Sequence, residues 1–148
     1  MKDPIRELQT PEDWAEAEAR FNNLEFVRRL GVTVSLANPD EPHCEILDIE
    51  PFHLGGIGQD FVNGVIISGV LDLALGLTGL RYSHLGYFAT RNLQIDLTLP
   101  VEKDGFYIKS RVTSKIGKQV FAEATVFNPA GKPRVHATGV VRVGIRRS

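Results

Sequence analysis

The sequence predicts an α+β domain in which an antiparallel sheet wraps one long central helix, and two observations carry that expectation. Residues 64–80 form an apolar run whose only charge is Asp72, and a helix apolar on every side must be covered by the rest of the protein. After residue 92 the hydrophobic period changes to two and turn signals recur, the pattern of an antiparallel sheet. One buried helix among about six strands makes a two-layer arrangement the economical one.

The elements follow in order. Thr10-Pro11-Glu12-Asp13 supplies a capping hydroxyl, a proline at the first helical position and acids in the first turn, predicting a helix through about Arg20. A short second helix carries Leu24, Phe26, Val27 and Leu30 and ends at Gly31. Val32, Val34 and Leu36 then alternate as a strand, and residues 44–50 predict another, ending at Pro51, with Pro39 and Pro42 in the turn between. Beyond the apolar helix, Leu93, Ile95, Leu97 and Leu99 alternate with Asn92, Gln94, Asp96 and Thr98 up to Pro100. Turns at Asp104-Gly105, Gly117-Lys118 and Pro129-Ala130-Gly131 separate strands over residues 106–115, 119–128 and about 134–145, an antiparallel meander.

The chain has 148 residues, 43% of them hydrophobic, which suits a single domain over 1–148 with an N-terminal helical extension over about 1–30. The run from Val65 to Leu80 is shorter than the roughly 20 residues of a membrane span and holds Asp72 and several glycines. No apolar segment of secretory type follows the charged start, so a cytoplasmic protein without membrane association is expected. Cys44 is the only cysteine, which excludes an internal disulfide and fits a small packed side chain. Charge is unevenly spread: residues 1–102 hold 7 Lys/Arg against 16 Asp/Glu, and residues 103–148 hold 10 against 2. So basic a final third points to an anionic ligand or acidic surface, with no motif for nucleic acid.

Asp72 is the residue the sequence marks most clearly, because burying a carboxylate in such a helix is costly unless it is paired, protonated or used in chemistry. Other candidates are weaker. Gly55-Gly56-Ile57-Gly58 lacks the trailing Lys-Ser/Thr of a phosphate loop, and Ser68 lacks the flanking glycines of a nucleophile elbow. His43, His53, His84 and His136 are not spaced as a metal set. Of these, His53 precedes the apolar helix and is the one placed to line a site there.

Asn63-Gly64-Val65 followed by Asp72 resembles the helix start of hotdog-fold thioesterases of the phenylacetate-pathway and 4-hydroxybenzoyl-CoA type, which begins His-Gly-Gly with an Asp or Glu nine residues after the His. Thr90-Arg91-Asn92-Leu93-Gln94-Ile95 and Leu99-Pro100-Val101 with Gly105 are similar to the family's following strand, and the likeness runs from about Leu24 to Val143. Asn63 and Val65 depart from the His-Gly-Gly pattern. The resemblance implies hydrolysis of an acyl-CoA thioester, with Asp72 as general base or nucleophile and the Gly64 amide, at a helix N-terminus, polarising the carbonyl. Asn63 would hold the loop, and Gln59 would align carbonyl or water. The resemblance further implies a homodimer, or a homotetramer built from it, with Thr90 or Asn92 facing Asp72 across the interface. Lys115, Lys118, Lys132 and Arg134 would meet the CoA phosphates. CoA enters as part of the substrate, and no separate cofactor or metal is implied. The alternatives are a hotdog dehydratase or hydratase, which wants a His–acid pair at the helix start, and a non-catalytic acyl-CoA or lipid-binding module.

Overall fold

The computed structural model describes residues 10–56, 58–83 and 87–144. Residues 1–9, Ile57 of the glycine-rich connection, His84 and the expected strand end at Ile145 lie outside them.

Helix α1 (Pro11–Asn22) starts as its sequence predicts: Asp13 N donates to Thr10 Oγ1 at 3.1 Å and Thr10 N to Asp13 Oδ2 at 3.2 Å, a reciprocal cap that satisfies two open amides. Helix α2 (Glu25–Leu30) ends at Gly31, whose φ of 76° is left-handed. Strand β1 (Thr33–Ser35) pairs with β2 (His43–Ile46). The second of these stops short of the expected Glu50, and the sequence holds the reason. Cys44 and Ile46 are apolar on one phase, but Leu47 and Ile49 are apolar on the other, so one straight strand cannot bury both sets. A 3₁₀ turn (Pro51–His53) leads to the central helix α3 (Gly64–Leu77), and a second 3₁₀ turn (Leu80–Tyr82) to β3 (Tyr87–Asp96).

Strands β4 (Phe106–Ile116), β5 (Gln119–Phe127) and β6 (Pro133–Gly144) are the expected meander, but β3 does not join it next to β4. The six-stranded antiparallel sheet runs β1-β2-β4-β5-β6-β3. Chain direction explains the order: β3 pairs with β6 at one edge, and the chain then crosses to set β4 beside β2.

The sheet curls round α3, burying Val70, Leu71, Ala74 and Leu75 against Phe106, Ile108 and Val126. Ser110 Oγ on β4 donates to Ala74 O at 2.7 Å, satisfying a polar group inside that contact. Where the end of α3 meets β6, a Cβ on Gly79 would lie 2.6 Å from Val141 Cγ1, so only glycine permits the approach. The two sheet edges differ. At β1, Asn22 of α1 exchanges two 2.8 Å hydrogen bonds with Val34, and Glu18 accepts from Leu36 N at 2.9 Å, so side chains occupy the edge. At β3, among the described residues, β6 is the sole strand partner, and ten residues of backbone stand open.

Candidate active site

The N-terminus of α3 is built by Asn63. Its Oδ1 accepts from Ile66 N at 2.9 Å, while its Nδ2 donates to Phe52 O at 3.1 Å and Leu54 O at 3.3 Å. Its own amide donates to His53 O at 2.8 Å and its carbonyl accepts from Ile67 N at 3.2 Å. Asn63 thus caps the helix and ties the preceding turn to it, the loop-holding role expected of it. The cap satisfies Ile66 and leaves the amides of Gly64 and Val65 with no acceptor among the described residues, at the positive end of the helix dipole. The Val65 amide is an addition to the sequence reading, which counted Gly64 alone. A side-chain cap on the third helical amide is its signal, because that pattern leaves the first two open.

Asp72 lies two turns along α3, and the structure corrects the expectation that it is buried. Gly64, Val65, Gly69 and Asp72 form an exposed stripe with half-buried Ser68 among them; Val65 is 81% exposed, and no atom lies within 4 Å of a Cβ built on Gly69. The cause is topological. The sheet wraps the other faces of the helix, β3 is its edge, and no described element crosses from β3 to the stripe.

A bulge in β3 separates the two strand candidates. Register shifts between Thr90 and Asn92, so half-buried positions fall at Phe88 and Thr90 before the bulge and at Leu93 and Ile95 after it. Thr90 therefore faces α3, with its Oγ1 3.5 Å from a Cβ built on Gly76, one turn beyond Asp72. Asn92 is exposed and does not share that face. Gln59 is exposed at the tip of a loop closed by the Leu54–Val62 bridge and by Gly55 N donating to Phe61 O at 3.2 Å.

The four cations divide into two distant pairs. Lys115 and Lys118 flank the β4–β5 turn, and Lys132 and Arg134 flank the β5–β6 turn; β5, nine residues long, sets the turns about 30 Å apart. Lys115 lies over the Tyr82 ring, with Nζ 5.4 Å from its centroid, at the C-terminal end of α3. Arg134 is at the N-terminal end, where Leu99 N donates to its carbonyl at 2.9 Å. Its guanidinium already holds Glu102 at 3.0 Å, with Nε buried and unpartnered among the described residues.

His53 does not line the site. Buried, it accepts from Glu50 N at Nδ1 (2.9 Å) and therefore donates from Nε2 to Leu30 O (2.6 Å), so both ring nitrogens serve the fold. Cys44 is fully buried, and burial pushes its thiol up to about 12, the environment of a packed side chain and not of a nucleophile. Among the described residues no group of His, Cys, Asp and Glu is arranged to hold a metal ion.

No protein-family model and no curated protein matches the sequence. Solved structures do match the fold. A Shewanella oneidensis protein related to the thioesterase superfamily aligns over 92% of this chain and 100% of its own at TM-score 0.79 and 21% identity. The PaaI protein of the E. coli phenylacetic acid degradation operon aligns over 88% and 93% at 0.74 and 15%. Thioesterase superfamily member 2 of Mus musculus aligns over 88% and 97% at 0.73 and 16%. The curled six-stranded sheet around one central helix is the hotdog fold of these thioesterase-superfamily structures.

Proposed function

We propose that this chain hydrolyses an acyl-CoA thioester to free acid and CoA, as a dimer in which each site takes the Gly64 and Val65 amides from one protomer and Asp72 from the other. The observation that carries the proposal is the presence, on one bare stripe of α3, of two open helix-start amides and a solvent-open carboxylate. Eight residues separate Gly64 from Asp72, about 12 Å along the axis, so one protomer cannot offer both to one thioester. Ser68 is midway between them. Two α3 helices running antiparallel about a two-fold axis near Ser68 set Gly64 of each against Asp72 of the other, and Gly69 leaves room for close approach. The bare β3 edges then pair and extend the sheet, which removes an open strand.

In that site the two amides hold the carbonyl oxygen as it gains negative charge. Asp72, as general base, takes a proton from the water that adds to the carbonyl carbon; as nucleophile, it adds there itself and water opens the resulting anhydride. In either case the C–S bond breaks and CoA leaves as a thiolate that is then protonated. Thr90, facing α3 one turn beyond Asp72, contributes the nearby hydroxyl. Lys115 and Lys118, with no acid paired to them among the described residues, are the first choice for the CoA phosphates. The dehydratase reading loses support because His53, the one histidine beside the helix start among the described residues, is spent on the fold.

The test is Asp72→Asn against a panel of acyl-CoAs. The substitution keeps shape and removes charge, so hydrolysis falls by about 10²–10⁴-fold, while the melting temperature is unchanged or higher because Asp72 is exposed in the protomer. Hydrolysis at the parent rate removes Asp72 from the mechanism. A parent that binds acyl-CoA without turnover replaces the enzyme with a binding module.

A further inference from the structure

At the end of the molecule opposite Asn63 and Gly64, beyond the C-terminus of α3, two clefts of about 460 and 260 Å³ share one wall made by Arg81 and Pro39. The larger is within the range of small-molecule sites. It runs between α1 and the segment after β1; Pro11, Ala15 and Ala37 expose apolar surface to it, and the buried Trp14 and Leu36 lie beneath. Its one acid, Glu18, is already engaged by Leu36 N at 2.9 Å.

Arg81 is the polar feature of this wall, and two contacts fix its guanidinium. It lies over the Trp14 ring, 5.4 Å from the centroid, and its Nη1 donates to Asp40 Oδ1 at 2.5 Å. The Arg81 side chain is 32% exposed, whereas Asp40 is 76% exposed on an open turn. Asp40 uses one N–H of a group that carries five in a rigid fork. A preset guanidinium with donors to spare, set into an apolar cleft beside an indole, suits one ligand chemistry: a carboxylate on a compact apolar body.

We propose that this cleft is a binding site for small apolar carboxylic acids, separate from the α3 stripe. The carboxylate takes the guanidinium fork bidentately, sharing it with Asp40 or displacing that exposed side chain, and the apolar body lies against Pro39, Ala37 and Ala15. If the hydrolysis proposed above releases a small apolar acid, the site would sense product, but its chemistry does not depend on that reaction.

Trp14 is the only tryptophan in the chain, so its fluorescence reports on the cleft. Titration of the full chain with octanoate or 3-phenylpropionate is expected to change Trp14 emission saturably, whereas octanamide and 3-phenylpropionamide, which lack the charge, leave it unchanged. Arg81→Gln should weaken binding at least tenfold, and Arg81→Lys, which keeps charge without the fork, should give an intermediate loss. Arg81 also braces α1, so Ala37→Phe provides an independent arm: it fills the cleft, leaves Arg81 in place, and should abolish the response. Asp72→Asn should leave it intact. No saturable change at millimolar acid, equal binding of the amides, or an undiminished response in Ala37→Phe overturns the proposal.

Discussion

Asn63 commits every polar atom of its side chain to backbone groups, so it positions the helix start and, in the proposed mechanism, leaves the chemistry to the amides beside it. Val65 stands where the resembled pattern has a second glycine, yet its contribution is a backbone N–H that any residue supplies. What was legible in the sequence of the proposed site is local geometry: a capping asparagine, an acid at fixed spacing on the same helix, an amide at the helix start. The exposure of Asp72 was not legible, because a helix composition cannot tell cover by its own chain from cover by a second copy. Cys44 is the reverse case, a strand-phase residue whose burial its neighbours announce. With its thiol pushed from 9.0 up to about 12 by burial, the unfolded chain ionises first as pH rises. Its contribution is thus complete below about pH 9 and is lost between there and pH 12, on the order of 4 kcal/mol in all. Native protein at pH 8 should resist a thiol reagent and yield one reactive thiol on unfolding. Stoichiometric labelling of the folded protein would contradict the buried placement.

At the scale of elements, phase was the reliable signal and pairing was not. The alternation of residues 92–99 marks a strand, but β3 ends at Asp96 and leaves Leu97 and Leu99 exposed. Nor can periodicity say that its neighbour is β6 and not β4, since the register is set by contacts over 40 residues away along the chain, such as Gln94 against Thr138. The bulge after Thr90 was hidden for the same reason: it exists only against a partner strand. The two sheet edges make the strongest element-level argument, since α1 occupies the β1 edge with side-chain hydrogen bonds and β3 has no such cover among the described residues. A ten-residue open strand invites pairing, and its copy is the partner proposed here. Gly69→Glu tests this directly. The position is open in the protomer, and glycine is the poorer helix residue, so the fold should survive. Two carboxylates brought to the two-fold axis should split the dimer by sedimentation and abolish hydrolysis with it. A dimer that persists with Glu at position 69 moves the interface off this stripe.

At the scale of the molecule, the charge imbalance between the two parts of the sequence is partly cancelled by folding. Lys103 pairs with Asp60, Lys109 with Glu41 and Arg134 with Glu102, each joining the basic final third to the acidic remainder. Composition showed that the basic third needs anions; it could not show that the fold supplies three of them from the acidic part, because these partners are distant in sequence. Lys115 and Lys118 are left over at the β4–β5 turn, with exposed Arg142 opposite Gln119 on the neighbouring strand, and that end of the molecule keeps its positive field. The proposed mechanism therefore puts long-range attraction of the CoA phosphates there and not at the Lys132–Arg134 end, where Glu102 already holds the arginine. Lys115→Glu with Lys118→Glu should raise KM for an acyl-CoA severalfold with little change in kcat, because remote phosphate contacts act almost equally on ground and transition states. The increase should shrink as salt is added, since these charges are exposed. Lys132→Glu with Arg134→Glu should change KM less and lower the melting temperature more, because it turns the Arg134–Glu102 pair into two like charges beside a partly buried strand end. If the second pair raises KM and the first does not, the phosphates bind at the α3 N-terminal end, and the substrate lies in the reverse direction along the helix.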